Sequence, residues 1–329
     1  MISESLSLEI WDRLFQGKPL VDLPIPTKDN RLLLEGVSLP DPTIVRKYQA
    51  HLNAGSEKRA YNITEVQPNA FFQQRKWEDL DFSGDKLPGI MFMSCEIHNC
   101  KFDNCNLQTL RWWCTSISDS SFVGANLRGA ALGGVHEGRR NVYNKVDFSN
   151  ADMRGTAFQS AEFKNCIFSH TKLDKVDFQG STFTDCVFEG ELNEVIFYKQ
   201  GFRFEALPPN EMKRVDFSRA CLKSVEFRNL DLDTVIYPSN QDHIIIDNYP
   251  NALDAIVRAL NARNERECKG LAAYFGGYRR WVGTKQERGI ISKSEVLRIA
   301  GPSILKLVEQ IAADAAAMPS IDQGTDLFE

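Results

Sequence analysis

The chain has 329 residues, of which 43% are hydrophobic and 25% are charged. This length allows two or three structural units with a sizeable core, and the composition is ordinary for a globular protein. The sequence shows neither an apolar run as long as a membrane span nor the basic and apolar start of a signal peptide. We therefore expect a cytoplasmic protein whose eight cysteines are reduced.

The net charge of -5 is unevenly distributed along the chain. Residues 78–238 carry 23 acidic and 18 basic side chains, which accounts for the whole excess of negative charge. Residues 258–306 carry 11 Lys and Arg against four Glu, a local excess of seven positive charges. This asymmetry makes the basic segment a candidate contact region.

The segment 1–77 is not repetitive and predicts a small α+β cap. One helix has its apolar face on Leu6, Ile10, Leu14 and Phe15. It is expected to end at Gly17, and a second helix is expected to begin at Asp41-Pro42 and to end near Gly55.

From Phe82 onward, a large apolar residue recurs at every fifth position, for 29 steps in three runs. We call these residues central residues. The first run extends from Phe82 to Leu132, the second from Phe148 to Phe188 and the third from Phe197 to Tyr237. A period of five fits neither a strand nor a helix, so the chain must turn a corner at every step.

The residue two places before each central residue is nearly always small, and the one between them is often polar. Typical units are Ala125-Asn126-Leu127, Ala151-Asp152-Met153 and Val176-Asp177-Phe178. They resemble the A(D/N)LXX consensus of the pentapeptide-repeat family, over roughly half of the chain. In the third run the small position is less regular, because it holds Gln200, Glu205 and Asn210.

The resemblance implies a mainly β fold, a right-handed quadrilateral β-helix of about seven coils over residues 78–238. Four units form one coil, so residues twenty apart should stack. Expected stacks are Phe82/Phe102/Phe122, Leu87/Leu107/Leu127, Phe148/Phe168/Phe188 and Phe197/Phe217/Tyr237. Backbone hydrogen bonds between coils and a cap at each open end should stabilise the solenoid.

The register breaks twice. Between Leu132 and Phe148 the spacing corresponds to one unit plus eleven residues, which predicts a Gly-rich exposed loop over 133–145. Two interpretations remain open: a tolerated insertion, or a projecting contact loop that presents His136, Arg139 and Arg140. The second break, from Phe188 to Phe197, is one residue short of two units and predicts only a kink.

Residues 239–329 predict an α-helical C-terminal domain. Helices are expected from Pro250, over about 265 to 282, from Ser292 and from Ile304 to Met318. Ser292 and Glu295 have capping-box spacing, and Gly301-Pro302 should interrupt the third helix. The segment exceeds what a cap needs and favours a domain or a dimerisation unit, so a homodimer through these helices is one expectation.

No catalytic motif is present, and the cluster Cys95, His98, Cys100 and Cys105 is the nearest candidate for a metal site. Its cysteines occupy inward small positions, whereas His98 should face outward. We therefore expect buried packing cysteines and assign no metal, cofactor or catalytic residue. The chain is interpreted as a non-enzyme.

The segment Tyr278-Arg279-Arg280-Trp281 interleaves aromatic and basic residues within the positive region. Such a segment can bind nucleic acid or an acidic partner. The alternative is an amphipathic helix whose aromatic residues pack and whose arginines are solvated.

Three functions remain open. The first is a protein-binding scaffold with a regulatory or protective role. The second is DNA mimicry on DNA gyrase or another type II topoisomerase, with antibiotic resistance in bacteria, which the resemblance implies but which the modest negative charge supports poorly. The third is an effector whose basic C-terminal domain binds nucleic acid, with the β-helix as a targeting arm.

Overall fold

The computed structural model forms two compact units, Met1–Lys172 and Leu173–Glu329, which are treated separately below. The residues that the structure describes are 2–37, 39, 70–201, 207–239, 241–282 and 286–316. The predicted helix at Asp41-Pro42 and the central residue Phe202 lie outside this set.

The first unit begins with helix α1 (Glu4–Gln16), as the sequence predicts. The Ser3 side chain accepts a hydrogen bond from the Leu6 amide, and Gly17 ends the helix in the left-handed conformation with φ of 69°. The apolar face lies on the rings at the start of the solenoid, where Phe15 stacks on Phe72 with 4.7 Å between ring centroids. Helix α1 therefore covers inward-facing rings of the solenoid.

Two short strands complete the N-terminal cap. Strand β1 (Thr27–Lys28) and strand β2 (Arg31–Leu33) form an antiparallel pair, and β2 also pairs in parallel with β5 (Leu80–Asp81). The Leu32 amide donates to the Asp79 carbonyl over 2.8 Å. Strand β2 thus satisfies backbone groups that an open coil edge would expose.

Short parallel strands build the solenoid of the first unit. They are β3 (Ala70–Gln73), β4 (Lys76–Glu78), β6 (Ile90–Met93), β7 (Glu96–His98), β8 (Arg111–Trp113), β9 (Ser116–Ser118), β12 (Val142–Asn144), β13 (Glu162–Lys164) and β14 (Ile167–Ser169). Phe72 pairs with Phe92, and Ile97 pairs with Ile117. The predicted separation of twenty residues is therefore present, and the coil already begins at β3, before residue 78.

Two features of each five-residue step produce the coil. The central rings stack along the solenoid: Phe82 lies 5.6 Å from Phe102, and Phe102 lies 4.9 Å from Phe122. In the first unit, a left-handed residue stands two places after each central residue and turns the corner. Examples are Ser94, Asn99, Asn104, Thr109, Cys114 and Asp119, all with positive φ. The predicted corner is therefore present at every step of this unit.

The first insertion is shorter than the sequence predicts. Residues after Leu132 form a hairpin of β10 (Val135–His136) and β11 (Arg139–Arg140). Strand β12 then rejoins the coil, because Tyr143 pairs with Ile117 and is fully buried. The step from Ile117 to Tyr143 exceeds the regular twenty by six, so the insertion has six residues and 142–145 belong to the coil.

The second unit continues with parallel strands whose spacing differs. They are β15 (Asp177–Phe178), β16 (Thr182–Thr184), β17 (Val187–Asn193), β18 (Ile196–Tyr198), β19 (Asp216–Lys223) and β20 (Glu226–Arg228). Phe178 pairs with Phe197, one position short of a regular coil, as the one-residue deletion predicts. Phe197, however, pairs with Phe227, and this step is ten positions longer than a regular coil.

The expected stack of Phe197 on Phe217 is therefore wrong. These rings lie edge to face, whereas Phe197 stacks on Phe227 with 5.5 Å between centroids. A ten-residue insertion follows Tyr198, and the chain re-enters the coil at Asn210. Gln200 is exposed, not an inward small residue. Because ten is two units of five, the insertion leaves the register in the sequence unchanged.

Residues after 238 form a mixed structure instead of the purely helical one expected. Strands β21 (His243–Asp247) and β22 (Arg288–Ser292) are antiparallel. The helices are α2 (Tyr249–Asn261), α3 (Arg266–Arg279) and α4 (Lys293–Ala316), and α4 is broken at Gly301 by its φ of 78°. The core includes Leu253, Ile256, Leu260, Leu271, Phe275, Val296 and Val308.

This C-terminal part supplies partners to the last coil. The Leu222 amide donates to His243 Nε2 over 3.0 Å, and the Asn229 amide donates to the Trp281 carbonyl over 2.7 Å. Backbone donors of the coil are thereby satisfied without a further strand. The C-terminal part acts as a cap of this solenoid segment.

Candidate partner-binding surfaces

The β10–β11 hairpin lies back on the coil. The Cys114 thiol donates to the His136 carbonyl over 3.3 Å, and Arg139 Nη2 donates to Ser94 Oγ over 3.1 Å. Arg139 is exposed, whereas His136 is half-buried. The predicted projecting loop is therefore wrong in its shape, since only the tip and Arg139 face solvent.

Arg140 is part of an ion pair inside the unit. Its Nε and Nη2 lie 3.0 and 2.6 Å from Glu162 Oε2, and the two side chains are only 11% and 16% exposed. Burial alone would raise the pKa of Glu162, but Lys164 and Arg140 outweigh it and hold that pKa below its usual range. Arg140 thus binds the hairpin to β13 and is not presented to a partner.

Asn141 closes the hairpin with its side chain. It is fully buried at a small position, where its Oδ1 accepts the Thr115 amide over 3.0 Å. Its Nδ2 donates to the carbonyls of Trp112 and Leu132 over 2.7 and 3.0 Å. One side chain therefore binds three backbone groups at the interruption of the coil, one of which, the Leu132 carbonyl, also accepts the Tyr143 hydroxyl over 2.6 Å.

At the end of α3, most of the predicted contact residues make internal contacts. Arg279 Nε donates to Asp254 Oδ1 over 3.0 Å, and the Tyr278 hydroxyl lies 2.9 Å from that of Tyr274. Trp281 is 41% exposed, but the guanidinium of Arg228 lies 4.2 Å from its ring centroid. The amphipathic-helix interpretation fits the half-buried Tyr278 and the exposed Arg280, whereas Arg279 is ion-paired and Trp281 keeps part of its ring in solvent.

A buried carboxylate joins the C-terminal part to the coil. Glu295 accepts hydrogen bonds from the Ser224 hydroxyl and, over 2.6 Å, from the Tyr274 hydroxyl. Burial, together with the Glu295 hydrogen bond, raises the pKa of Tyr274 above its usual value. The predicted capping box is wrong, because Ser292 contacts Ser294 and Glu295 points to the coil.

An open groove of about 450 Å³ lies between α2 and α3 and was not found from the sequence. We call it the α2–α3 groove. Its lining residues are Val257, Asn261, Lys269, Ala272, Ala273, Gly276, Gly277 and Arg280. The floor is made of small residues, cations stand at both ends, and no carboxylate is part of the lining. The adjacent pair Gly276-Gly277 within a helix is the signal that could have indicated it.

Carboxylates on the exterior of the solenoid are repeatedly paired with cations. In the first unit the pairs include Asp119 with Lys145, Asp152 with Arg154 and Glu162 with Arg140. In the second unit they include Asp185 with Arg214, Glu191 with Lys223 and Glu226 with Arg228. These pairs neutralise part of the surface charge on both solenoid segments, although residues 78–238 carry five more acidic than basic side chains.

The cysteine and histidine cluster does not converge on a point. Cys95, Cys100 and Cys105 are buried, and burial raises their thiol pKa values to about 11, 12 and 12. The His98 ring instead contacts Ser118 Oγ on the exterior, at 2.9 Å. Within the described ranges, no group of His, Cys, Asp and Glu is arranged to hold a metal ion. The helices of those ranges are also too short or too polar to cross a membrane.

Comparisons with known proteins agree on the repeat. The family model for pentapeptide repeats matches eight copies, over residues 144–169 and 151–190. A search of curated proteins finds no match.

Among solved structures, a trypsin-treated form of QnrB1, a plasmid-mediated fluoroquinolone resistance protein, is 16% identical with a TM-score of 0.26, over 49% of this chain and 84% of that chain. Rfr23, a pentapeptide-repeat protein from the cyanobacterium Cyanothece 51142, is 10% identical with a TM-score of 0.24, over 54% and 95%. HetL from the cyanobacterium Nostoc sp. strain PCC 7120, involved in heterocyst differentiation regulation, is 12% identical with a TM-score of 0.18, over 59% and 92%.

These TM-scores are too low for the likenesses to bear on function. The five-residue period, the parallel pairing and the match of the family model identify the repeat itself. The chain thus contains pentapeptide repeats, and these repeats form a β-helix.

Proposed function

We propose that this chain is a non-catalytic protein-binding scaffold with a regulatory or protective role. The observation that carries this proposal is the α2–α3 groove, an open concave surface that the contacts of the chain leave unfilled. Concave surfaces with few charges on their floor are typical binding sites, and their volumes usually fall between about 300 and 1,000 Å³. A groove on a rigid repeat protein suits docking of a partner better than chemistry.

The packing of the second unit supports a rigid platform behind this groove. Helix α3 packs on α2, and Glu295 in α4 is hydrogen-bonded to Ser224 of the coil. The coil itself is filled by stacked rings such as Phe197 on Phe227. Rigid surfaces lose little conformational entropy on binding, which favours a scaffold.

The shape of the coil and the cellular location of the protein are also part of this proposal. We infer a right-handed quadrilateral coil of about seven turns, because the pairings recur at twenty residues outside the insertions. We also infer a cytoplasmic location, since all eight cysteines are free thiols and most of them are buried.

Site-specific photocrosslinking tests the scaffold function. A benzophenone amino acid would replace Ala273 in the groove, Lys145 on the first solenoid segment or, as a control, the exposed Glu287 just before β22. We expect one discrete crosslinked protein in host lysate, competed away by unlabelled full-length protein. If neither Ala273 nor Lys145 gives a product beyond that of Glu287, the scaffold proposal fails.

A further inference from the structure

We propose that the α2–α3 groove receives an acidic α-helix of a partner protein. This inference rests on the scaffold function and specifies its partner. Two kinds of observation support it: the small residues of α3, by their spacing and by the cost of the glycines among them, and the charges at the ends of the groove.

The small residues lie in two adjacent rows along α3. One row runs Lys269, Ala273, Gly277 and the other runs Ala272, Gly276, Arg280, each with a spacing of four. Side chains four apart form the ridges and grooves of a helix surface. Between Lys269 and Arg280 these rows hold only Ala and Gly, so they form a channel, and the ridge of another helix fits such a channel at close interaxial distance.

The glycines have no role in the packing of this chain. A Cβ added at Gly276 or at Gly277 would meet no atom within 4 Å. Glycine inside a helix is nevertheless less stable than alanine, because it loses more backbone entropy. No contact among the residues that the structure describes requires glycine at these two positions. The close approach of a partner backbone would require it.

The charges of the groove select an acidic partner. Lys269 and Arg280 stand at opposite ends, and Lys269 Nζ is held by the Asn261 carbonyl over 2.5 Å. The nearby Asp254 already pairs with Arg279. The two cations are eleven positions apart, which is about 16 Å at a helical rise of about 1.5 Å per residue. The matching helix carries carboxylates near both ends and small or aliphatic residues between them.

A designed probe tests the chemistry directly. The probe is a fluorescent 18-residue helix of Ala and Leu with three Glu at each end, and its controls carry Gln or Lys in place of Glu. By anisotropy, we expect the Glu probe to bind full-length protein at least ten-fold more tightly than the Gln probe. The double variant Lys269→Glu/Arg280→Glu should remove this preference, and higher salt should weaken it.

Two matched alanine variants separate binding from folding. Gly277→Ala and Gly270→Ala both add a methyl group to open space on α3, but Gly270 does not line the groove. We expect both to raise the midpoint of thermal unfolding, and only Gly277→Ala to weaken the Glu probe, by about three-fold. Gly277→Leu should weaken it by at least ten-fold.

Several results would overturn the inference. They are equal affinity for the Glu and Gln probes, unchanged binding by Gly277→Leu, tighter binding of duplex DNA or RNA at the groove, and a dimer that Gly277→Leu makes monomeric. The scaffold function is judged separately: if crosslinking from Lys145 persists while the probe fails, only the acidic-helix inference is lost.

Discussion

Asn141 shows how one side chain allows a coil to be interrupted. Its amide supplies one acceptor and two donors to the backbone, through Thr115, Trp112 and Leu132. Asn210 does the same after the second insertion, since its Oδ1 accepts the Phe183 amide over 3.1 Å. Asparagine is suited to this position because it is small and carries both a donor and an acceptor.

Removal of the Asn141 amide should be costly. We expect Asn141→Ala to lower the free energy of unfolding by about 3 kcal/mol, because buried backbone groups lose their partners. The half-exposed Asn144, which contacts Asn165, is the control, and Asn144→Ala should cost less than about 1 kcal/mol. Urea unfolding measures both, and equal losses would contradict this role of Asn141.

Asp85 places a carboxyl group where the repeat normally has a small residue. Its Oδ1 accepts the Gly36 amide over 2.7 Å, and its Oδ2 is buried without a partner among the described residues. Burial raises the pKa of Asp85 from 3.8 to about 7. The folded chain therefore retains a proton between these pH values that the unfolded chain releases, and stability falls as pH rises from about 4 to 7.

The variant Asp85→Asn tests this pH dependence. It keeps the shape and the acceptor for Gly36 but cannot ionise. We expect it to raise the free energy of unfolding of the first unit by about 1–3 kcal/mol at pH 8, and to change it little at pH 4, where the unfolded chain has only begun to release this proton. Urea unfolding at both pH values measures the effect, and an equal difference at both would argue against titration of Asp85.

At the scale of elements, the sequence predicts the coil well because the residues that determine each step are neighbours in the sequence. Each step needs one large inward residue, one small inward residue and a left-handed corner, so five neighbouring residues contain most of the information. The start at Phe72 and Trp77 was missed, although both residues fit the register. The helix α1 and its Gly17 end were also predictable from local signals.

The insertions were less predictable because an insertion is visible in the sequence only if its length is not a multiple of five. The first insertion has six residues, which shifts the five-residue register and makes the hairpin visible in the sequence. Ten residues after Tyr198 leave it unchanged, so Leu207 was counted as a repeat although the coil resumes at Met212. The α2–α3 groove was missed for another reason: its lining comes from two helices, and only the pair Gly276-Gly277 marks it in the sequence.

The hydrogen bonds of Glu295 should couple α4 to the last coil. We expect Glu295→Ala to lower the free energy of unfolding of the second unit by about 2 kcal/mol, because the hydroxyls of Ser224 and Tyr274 lose their acceptor. Hydrogen exchange should speed up in α4 and β19. The exposed Glu287 is the control, and no difference from Glu287→Ala would show that the contact is dispensable.

At the scale of the whole molecule, charge separates the functional hypotheses. DNA presents a dense array of phosphates, and a mimic must offer a comparable row of unneutralised carboxylates. Here Asp119, Glu162 and Asp185 each have a cation within 4 Å. These ion pairs weaken the negative potential that a DNA-binding surface of a topoisomerase would recognise on this exterior.

We accordingly expect no protection of DNA gyrase. In a supercoiling assay with a quinolone, micromolar full-length protein should leave the inhibition unchanged, because the paired surface charges give a weak long-range field. A double variant that removes cations from the solenoid, Lys145→Gln/Arg214→Gln, should also be inactive. Rescue of supercoiling by the unmodified protein would revive the mimicry hypothesis.

The two re-entry asparagines have a consequence for how such proteins change. Each loop begins and ends at one coil, and Asn141 or Asn210 restores the hydrogen bonds at the junction. Loops can therefore be lengthened at these junctions without a change in the backbone pairing of the neighbouring coils, whereas deletion of the first hairpin would leave Glu162 without Arg140. The coils form a regular framework, and the two junctions are positions at which loops with new binding residues can be introduced.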